Sequence, residues 1–318
     1  MRHQPQRAHL AVTNRSAGAG DTAVDRADEI LPRRVNLGSL FPDSRFVGAT
    51  DVVVQDITTK ADDVQPGTVY AATRGSQFDS AAFIQSAIHR GASALVLNRP
   101  WDENSIPQCI VPSVRSAFAR ICAALAGPKA AKIQVLGVTG TNGKSTTAWM
   151  MRSILQSAGR SCGILGTIEY HDGQHGEPAT LTTPDPKTLW NWLARMGAAQ
   201  TNFAALELSS HALHQRRAEG LKLAAAVVTN VTHDHLDYHG SLEAYWESKT
   251  RIFELLSPTS TAIVNLDDPA GARMTSRIPG HLDWLGLSLN ESADVSAGKV
   301  ELGLRGSTFQ LETPWGCR

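Results

Sequence analysis

One stretch constrains the fold more than any other. Residues 132–159 read KIQVLGVTGTNGKSTTAWMMRSILQSAG. Ile133, Val135 and Val138 form a short apolar, β-branched run, which predicts a strand. Gly140, Thr141, Asn142 and Gly143 follow. Lys144, Ser145 and Thr146 then open a helix whose apolar face reads Ala148, Met151, Ile154, Leu155 and Ala158, with Gly159 as its C-terminal stop. Strand, glycine loop, Lys-Ser and helix make a phosphate-binding unit. The glycines let backbone N–H groups turn inward around phosphate oxygens, and the helix N-terminus adds its positive end. Lys144 would reach the outer phosphates and the Ser145 hydroxyl would sit on Mg²⁺. The strict pattern places a glycine where this chain has Val138, so a plain strand-to-helix turn is the alternative.

The rest of the chain supplies an α/β frame around this unit. Residues 1–34 are polar and carry no apolar signal core, which predicts a disordered extension. From Val35 to about Gly127 a small α/β domain is predicted. Its strands are Val52–Val54, Val69–Ala72 and Ala94–Leu97, and its helices Ala81–His89 and Val114–Leu125. Gly127-Pro128 breaks the pattern, so the domains divide as 35–128 and 129–318. After the anchor helix, strands Cys162–Leu165, Ala204–Leu208, Ala224–Val228 and Ala262–Asn265 alternate with helices Pro186–Met196 and Leu242–Leu256. That alternation predicts a parallel sheet covered on both faces. The tail from Val295 to Trp315 alternates as strands do. Three strands end in polar clusters: Glu207-Leu208-Ser209-Ser210-His211, Thr229-Asn230 and Asn265-Leu266-Asp267-Asp268. Ligands of open α/β sheets bind beyond the carboxyl ends of the strands, so these clusters and the phosphate loop should face one crevice.

Composition excludes some classes of function. The chain has 318 residues, enough for about two domains, and 30 basic residues balance 30 acidic ones. That balance gives no sign of nucleic-acid or membrane-surface binding. No apolar run approaches the roughly 20 residues of a membrane span. Cys109, Cys122, Cys162 and Cys317 lack metal or redox spacing and fit reduced thiols of a cytosolic protein.

Several residues have two readings on spacing alone. Glu207 can hold Mg²⁺ beside the phosphates, or be a capped or paired surface glutamate. The segment from Asn230 to His239 is dense in His and Asp, which admits a zinc site, a histidine at a Mg²⁺ site, or hydrogen-bonded loop histidines. Lys249 by itself reads as a solvated helix lysine. Arg216 and Arg217 can clamp an anion or face water, and Thr182-Thr183-Pro184 can bind substrate or form a turn.

Taken together these segments resemble the Mur ligases. The motifs are GVTGTNGKS at 137–145, LTTP at 181–184, LELSSHALHQRR at 206–217, TNVTHDHLDYHG at 229–240, ESKTRIF at 247–253 and NLDD at 265–268. SSHAL and DHLDYHG, in this order, point to the MurE type, the UDP-N-acetylmuramoyl-L-alanyl-D-glutamate ligases that add the third peptide residue. The segment VQPGTVYAATRGSQFDSAAFIQSAIHRGASALV resembles the family's UDP-binding domain. The resemblance implies a cytoplasmic, monomeric enzyme that uses ATP and Mg²⁺ and acts on UDP-muramoyl-dipeptide and an amino acid, diaminopimelate or lysine. It implies an acyl phosphate, attacked by the incoming amine. It assigns Gly140, Thr141, Asn142, Gly143, Lys144, Ser145 and Thr146 to the ATP phosphates and Asn265 to the adenine side. Ser145, Glu207 and His235 fall to Mg²⁺, and Thr182, Thr183, Ser209, Gln215 and Arg217 to the muramoyl substrate. Lys249 matches a lysine that becomes carbamylated and helps hold a second Mg²⁺, which would make it catalytic with Lys144 and His235. The family's Asp-Ser-Arg before the V-x-P-G turn is replaced here by Lys60-Ala61-Asp62. The family's third, C-terminal domain is not expected within these residues, and turnover by the 318 residues alone is not expected either. A nucleotide- or UDP-sugar-binding module without catalysis, and a folylpolyglutamate-synthase-like ligase, are the competing readings.

Overall fold

The computed structural model describes residues 33–73, 79–102, 106–289, 293–304 and 306–317. The disorder expected for residues 1–34 therefore falls almost wholly outside the described residues. The first strands are short: β1 (Val35–Asn36), β2 (Arg45–Val47), β3 (Val53–Val54), β4 (Ile57–Thr58), β5 (Val69–Ala71), β6 (Ala94–Leu97) and β7 (Gln108–Ile110). A one-turn helix, α1 (Leu37–Leu40), follows β1, and β1 pairs antiparallel with β3. The other five strands form one sheet in the order β2-β7-β6-β5-β4, parallel except at β2. The helix expected at 81–89 is a 3-10 turn over Ser80–Phe83 followed by α2 (Ile84–His89).

Helix α3 (Val114–Ala131) runs six residues further than the sequence pattern marks. It does so across a break: Gly127 sits at φ 82°, ψ −176°, and Pro128 restarts the helical turn. The left-handed φ favours glycine at this break.

A second sheet follows, built from β8 (Gln134–Thr139), β9 (Cys162–Leu165), β10 (Glu169–His171), β11 (Gly176–Pro178), β12 (Phe203–Glu207), β13 (Leu223–Val228), β14 (Leu256–Asn265), β15 (Asp283–Ser288), β16 (Val295–Gly303), β17 (Gly306–Thr313) and β18 (Gly316–Cys317). Its order is β11-β10-β9-β12-β8-β13-β14-β15-β16-β17-β18. The run from β9 to β16 is parallel, and antiparallel hairpins extend both edges. Alternate residues serve opposite faces, as the pleat demands. Val138, Ile164 and Ala205 cluster with Ala148 of α4 (Lys144–Ser157). Ala204, Leu206 and Leu165 cluster with Leu189, Trp192 and Leu193 of α5 (Pro186–Ala198). Both faces are thus covered, which is why the strands read as continuous apolar runs.

Two expectations need correction. The inner face of α4 is Ala148, Trp149, Met151, Arg152 and Leu155, whereas Ile154 is 67 % exposed and Ala158 is exposed too. Arg152 takes the buried slot because Glu169 of the neighbouring hairpin pairs with it at 2.9 Å. The helix expected over 242–256 is α8 (Leu242–Thr250), then a 3-10 turn over Arg251–Leu255, and Leu256 already belongs to β14. Pro258 is tolerated in that strand because it falls where the β13–β14 register shifts.

Candidate active site

Strand β8 lies between β12 and β13, so its carboxyl end opens between chain segments that leave the sheet on either side. The glycine loop occupies this opening. Gly140 has φ 156°, and a Cβ there would lie 1.9 Å from Thr229 Oγ1. Gly143 is left-handed at φ 83° and leads directly into α4. The loop is tied to the end of β13: Thr141 N–H donates to the Asn230 carbonyl (2.8 Å), Asn142 N–H to Asn230 Oδ1 (3.0 Å), and Thr229 Oγ1 to the Asn142 carbonyl (2.6 Å). Asn265, at the end of β14, steadies the same place by donating Nδ2 to the Thr229 carbonyl at 2.8 Å.

Two lysines converge on one carbonyl. Lys144 Nζ donates to the carbonyls of Gly140 and Thr141, both at 2.9 Å, and Lys249 Nζ donates to Gly140 O at 2.7 Å. Lys249 is 1 % exposed and lies 4.6 Å from the centre of the Tyr245 ring. The solvated helix lysine of the plain sequence reading is therefore incorrect. Helix α8 turns Lys249 inward because Tyr245, one turn earlier, is buried with it and bonds Thr141 Oγ1 through its hydroxyl at 3.0 Å. Burial, together with the charge of Lys144, lowers the Lys249 pKa to about 7, so an appreciable fraction is a neutral amine. Burial also lowers the pKa of Lys144, while the charges of Glu207 and Asp234 oppose this.

Glu207 closes β12 and is wholly buried. Its carboxylate accepts three hydrogen bonds: Ser145 Oγ (2.9 Å), Thr167 N–H (3.0 Å) and Thr167 Oγ1 (3.0 Å). A buried carboxylate requires such donors. Thr167 follows Gly166, where a Cβ would lie 2.1 Å from Glu207 Oε1. Thr182 Oγ1 lies 3.1 Å from Thr167 Oγ1 and donates to it, because the Thr167 proton is held by Glu207. The paired Ser145 hydroxyl and Glu207 carboxylate are hard oxygen donors at a helix N-terminus, and they fit Mg²⁺ chemistry.

Beyond Glu207 the LTTP segment meets the end of β12. Thr183 Oγ1 donates to the Glu207 carbonyl (2.7 Å) and accepts Ser209 N–H (2.9 Å). Ser209 caps α6 (Ser210–His214). Arg217 Nη1 donates to the Thr183 carbonyl at 2.9 Å, and its Nε and Nη2 both reach Gln215 Oε1, at 3.1 and 2.9 Å. The structure thus brings Thr182, Thr183, Ser209, Gln215 and Arg217 into one network. Arg216 turns away to Glu219 at 3.0 Å.

The His-rich segment folds over this network. His235 is left-handed (φ 51°) and precedes α7 (Leu236–His239). Its ring centre lies 4.8 Å from that of His211 and 6.2 Å from that of Tyr245. Burial, reinforced by the other imidazoles, lowers the His239 pKa to about 4 and holds His211 low as well. Among the described residues no group of three or more His, Cys, Asp or Glu side chains is placed to hold a metal, so these histidines are not pre-arranged as a zinc site.

Sequence reasoning missed Thr167, Tyr245 and Tyr238. Thr167 was legible by the same strand-end signal that marked Glu207, because Gly166-Thr167 directly follows the apolar run 162–165. The tyrosines carried no such signal. Lys60-Ala61-Asp62 forms a 3-10 turn entry in which Ala61 is buried and Asp62 pairs with Arg90 at 3.1 Å. Cys109, Cys122 and Cys162 are buried free thiols whose pKa values burial raises to about 11, 12 and 11.

A parallel sheet with a glycine loop at its switch point, a lysine over that loop and a Ser–carboxylate pair beneath it defines a phosphate-loop α/β protein. Comparison with known proteins narrows the class. The family model for the Mur ligase middle domain matches residues 138–317, and the chain belongs to the Mur ligase family. It is 34 % identical over 275 residues to the UDP-N-acetylmuramoyl-L-alanyl-D-glutamate–2,6-diaminopimelate ligase of Geobacillus thermodenitrificans, covering 85 % of this chain and 55 % of that protein. It is 37 % identical over 272 residues to the UDP-N-acetylmuramyl-tripeptide synthetase of Deinococcus radiodurans, covering 84 % and 54 %. A solved UDP-N-acetylmuramoyl-L-alanyl-D-glutamate–2,6-diaminopimelate ligase superposes with a TM-score of 0.76 at 27 % identity, over 90 % of this chain and 59 % of that one. MurF from Acinetobacter baumannii shares the fold, with a TM-score of 0.57 at 21 % identity. The chain spans about half the length of the curated relatives it matches. Among the described residues no helix is long and apolar enough to cross a membrane.

Proposed function

We propose that the chain is the substrate- and ATP-binding part of a cytoplasmic, monomeric ligase that adds a third amino acid to UDP-N-acetylmuramoyl-L-alanyl-D-glutamate. In this reading residues 35–128 are the UDP-binding domain and residues 129–318 the ATP-binding domain. The observation that carries it is the contact of Ser145 with Glu207, made beside a loop whose Gly140 carbonyl receives both Lys144 and Lys249. The side chains that this reading assigns to phosphate and metal thus stand at adjoining strand ends, which supports it.

The Gly140–Thr146 segment would cradle the ATP phosphates, with Lys144 leaving its two carbonyls to pair with the outer ones, and Asn265 would lie on the adenine side. Ser145, Glu207 and His235 would hold Mg²⁺, which offsets the repulsion between ATP and a carboxylate. Thr182, Thr183, Ser209, Gln215 and Arg217 would hold the muramoyl-dipeptide so that its terminal carboxylate faces the phosphates. That carboxylate takes the γ-phosphoryl group, forming the acyl phosphate and ADP. The incoming amine then attacks the carbonyl carbon, and the tetrahedral intermediate expels phosphate. The lowered pKa of Lys249 favours the neutral amine, the form that combines with CO₂, and the resulting carbamate would supply an anionic oxygen ligand. The amino acid transferred would be diaminopimelate or lysine.

Calorimetric titration of the 318-residue chain with UDP-muramoyl peptides of different length tests the step. The dipeptide form should bind more tightly than the forms with one or three residues. Equal affinity for all three would overturn the assignment to the third addition and favour a general UDP-sugar-binding module.

A further inference from the structure

We propose that the Tyr238 hydroxyl is a positioning group that sets the direction of Arg217 through Gln215. This rests on the reading above, in which Arg217 faces the muramoyl substrate. Gln215 Nε2 donates to Tyr238 Oη at 3.0 Å, and Tyr238 Oη lies 3.0 Å from His214 Nδ1. On the other side Gln215 Oε1 receives both Nε and Nη2 of Arg217.

The chemistry of these groups fixes the sense of the bonds from Arg217 through Gln215 to Tyr238. A guanidinium only donates, so Gln215 must present its oxygen to Arg217 and its nitrogen to Tyr238. The tyrosine oxygen accepts that amide proton, and where His214 Nδ1 is unprotonated the tyrosine's own proton goes to it. Burial and the neighbouring Arg251 and Arg115 lower the His214 pKa, consistent with that state. The result is a single donor sense from Arg217 through Gln215 to Tyr238, continued to His214 where its Nδ1 is unprotonated. Arg217 has five N–H groups. Two go to Gln215 and one to the Thr183 carbonyl, so two remain to face an anionic group in a fixed direction.

Packing holds the Tyr238 ring independently of its hydroxyl. The ring lies 4.1 Å from the His211 ring at 37° and meets His239 edge-on at 4.8 Å. Tyr238→Phe keeps these contacts and deletes the hydroxyl, which removes the acceptor of Gln215 and the bond to His214. The amide is then free to turn and present its nitrogen to Arg217, which repels the guanidinium and releases its orientation.

Two measurements test this. Proton exchange at Arg217 Nε, followed by ¹⁵N NMR on the ligand-free chain, should accelerate about tenfold or more in Tyr238→Phe while the melting temperature holds. Affinity for UDP-N-acetylmuramoyl-L-alanyl-D-glutamate should fall about tenfold in Tyr238→Phe, with ATP affinity unchanged. In an Arg217→Lys background, which cannot make the two-pronged bond to Gln215, Tyr238→Phe should add no further loss. Unchanged exchange at Arg217 Nε in Tyr238→Phe, or losses that simply add in the double variant, would overturn the proposal. If exchange accelerates as expected but the native chain does not bind the muramoyl-dipeptide, the positioning stands and the functional reading fails.

Discussion

Replacing Lys249 with methionine removes a buried amine while keeping the length of its stem. The amine's pKa falls from 10.5 to about 7 because burial disfavours its charge and Lys144 adds repulsion. At 1.36 kcal/mol per unit, that fall corresponds to a ceiling of about 5 kcal/mol. The folded-state pKa lies below the unfolded value, so between about pH 7 and 10.5 the unfolded chain binds a proton that the folded chain does not. Stability from this group therefore rises with pH across that window, and the full penalty is felt below it. Methionine escapes the penalty but forfeits the hydrogen bond to Gly140 O, worth about 1.5 kcal/mol at any pH. Lys249→Met should thus be more stable than the native chain by about 3 kcal/mol near pH 6 and lose its advantage by about pH 10. Urea unfolding of both proteins in CO₂-free buffers across this range measures the gap, and groups other than the neighbours Lys144 and His239 cancel in the difference. A gap that does not change with pH, or one that widens as pH rises, would refute the reasoning.

Other outcomes follow from the same geometry. Gly140→Ala drives a Cβ onto Thr229 Oγ1 and should cost about 2 kcal/mol of stability together with nucleotide affinity, read by thermal melting with and without ATP. Thr167→Val deletes one of three donors to Glu207 and should weaken the Mg²⁺ dependence of ATP binding about tenfold, read by metal titration. With ¹³C-labelled bicarbonate, a carbamate resonance should appear in the native chain and be absent in Lys249→Ala; its persistence in that variant would place the modification elsewhere.

Much of the fold was legible because the sheet is buried on both faces. The run Ala204-Ala205-Leu206 reads as an interior strand, and it is one. The phosphate loop was legible because its glycines answer to local demands, a left-handed turn at Gly143 and a close approach at Gly140. What escaped depended on partners distant in sequence. The hairpin β10–β11 is short and polar, and its burial of Tyr170 is set by Trp192 of α5. Ile154 looked buried from helical spacing, but the slot beneath α4 belongs to Arg152, a choice made by Glu169. Lys249 looked solvated from its residue type. The position of Gly140, far earlier in the chain, and the burial of Tyr245 beside it explain its burial, and resemblance to a family marked it where spacing could not.

In the proposed function Lys144 would serve the nucleotide and Arg217 the muramoyl substrate. Crossed calorimetric titration of Lys144→Ala and Arg217→Ala, each with ATP·Mg²⁺ and with UDP-N-acetylmuramoyl-L-alanyl-D-glutamate, tests it directly. Lys144→Ala should lose nucleotide binding and keep most of its affinity for the muramoyl substrate, and Arg217→Ala should do the reverse. Equal losses for both ligands in both variants would contradict it.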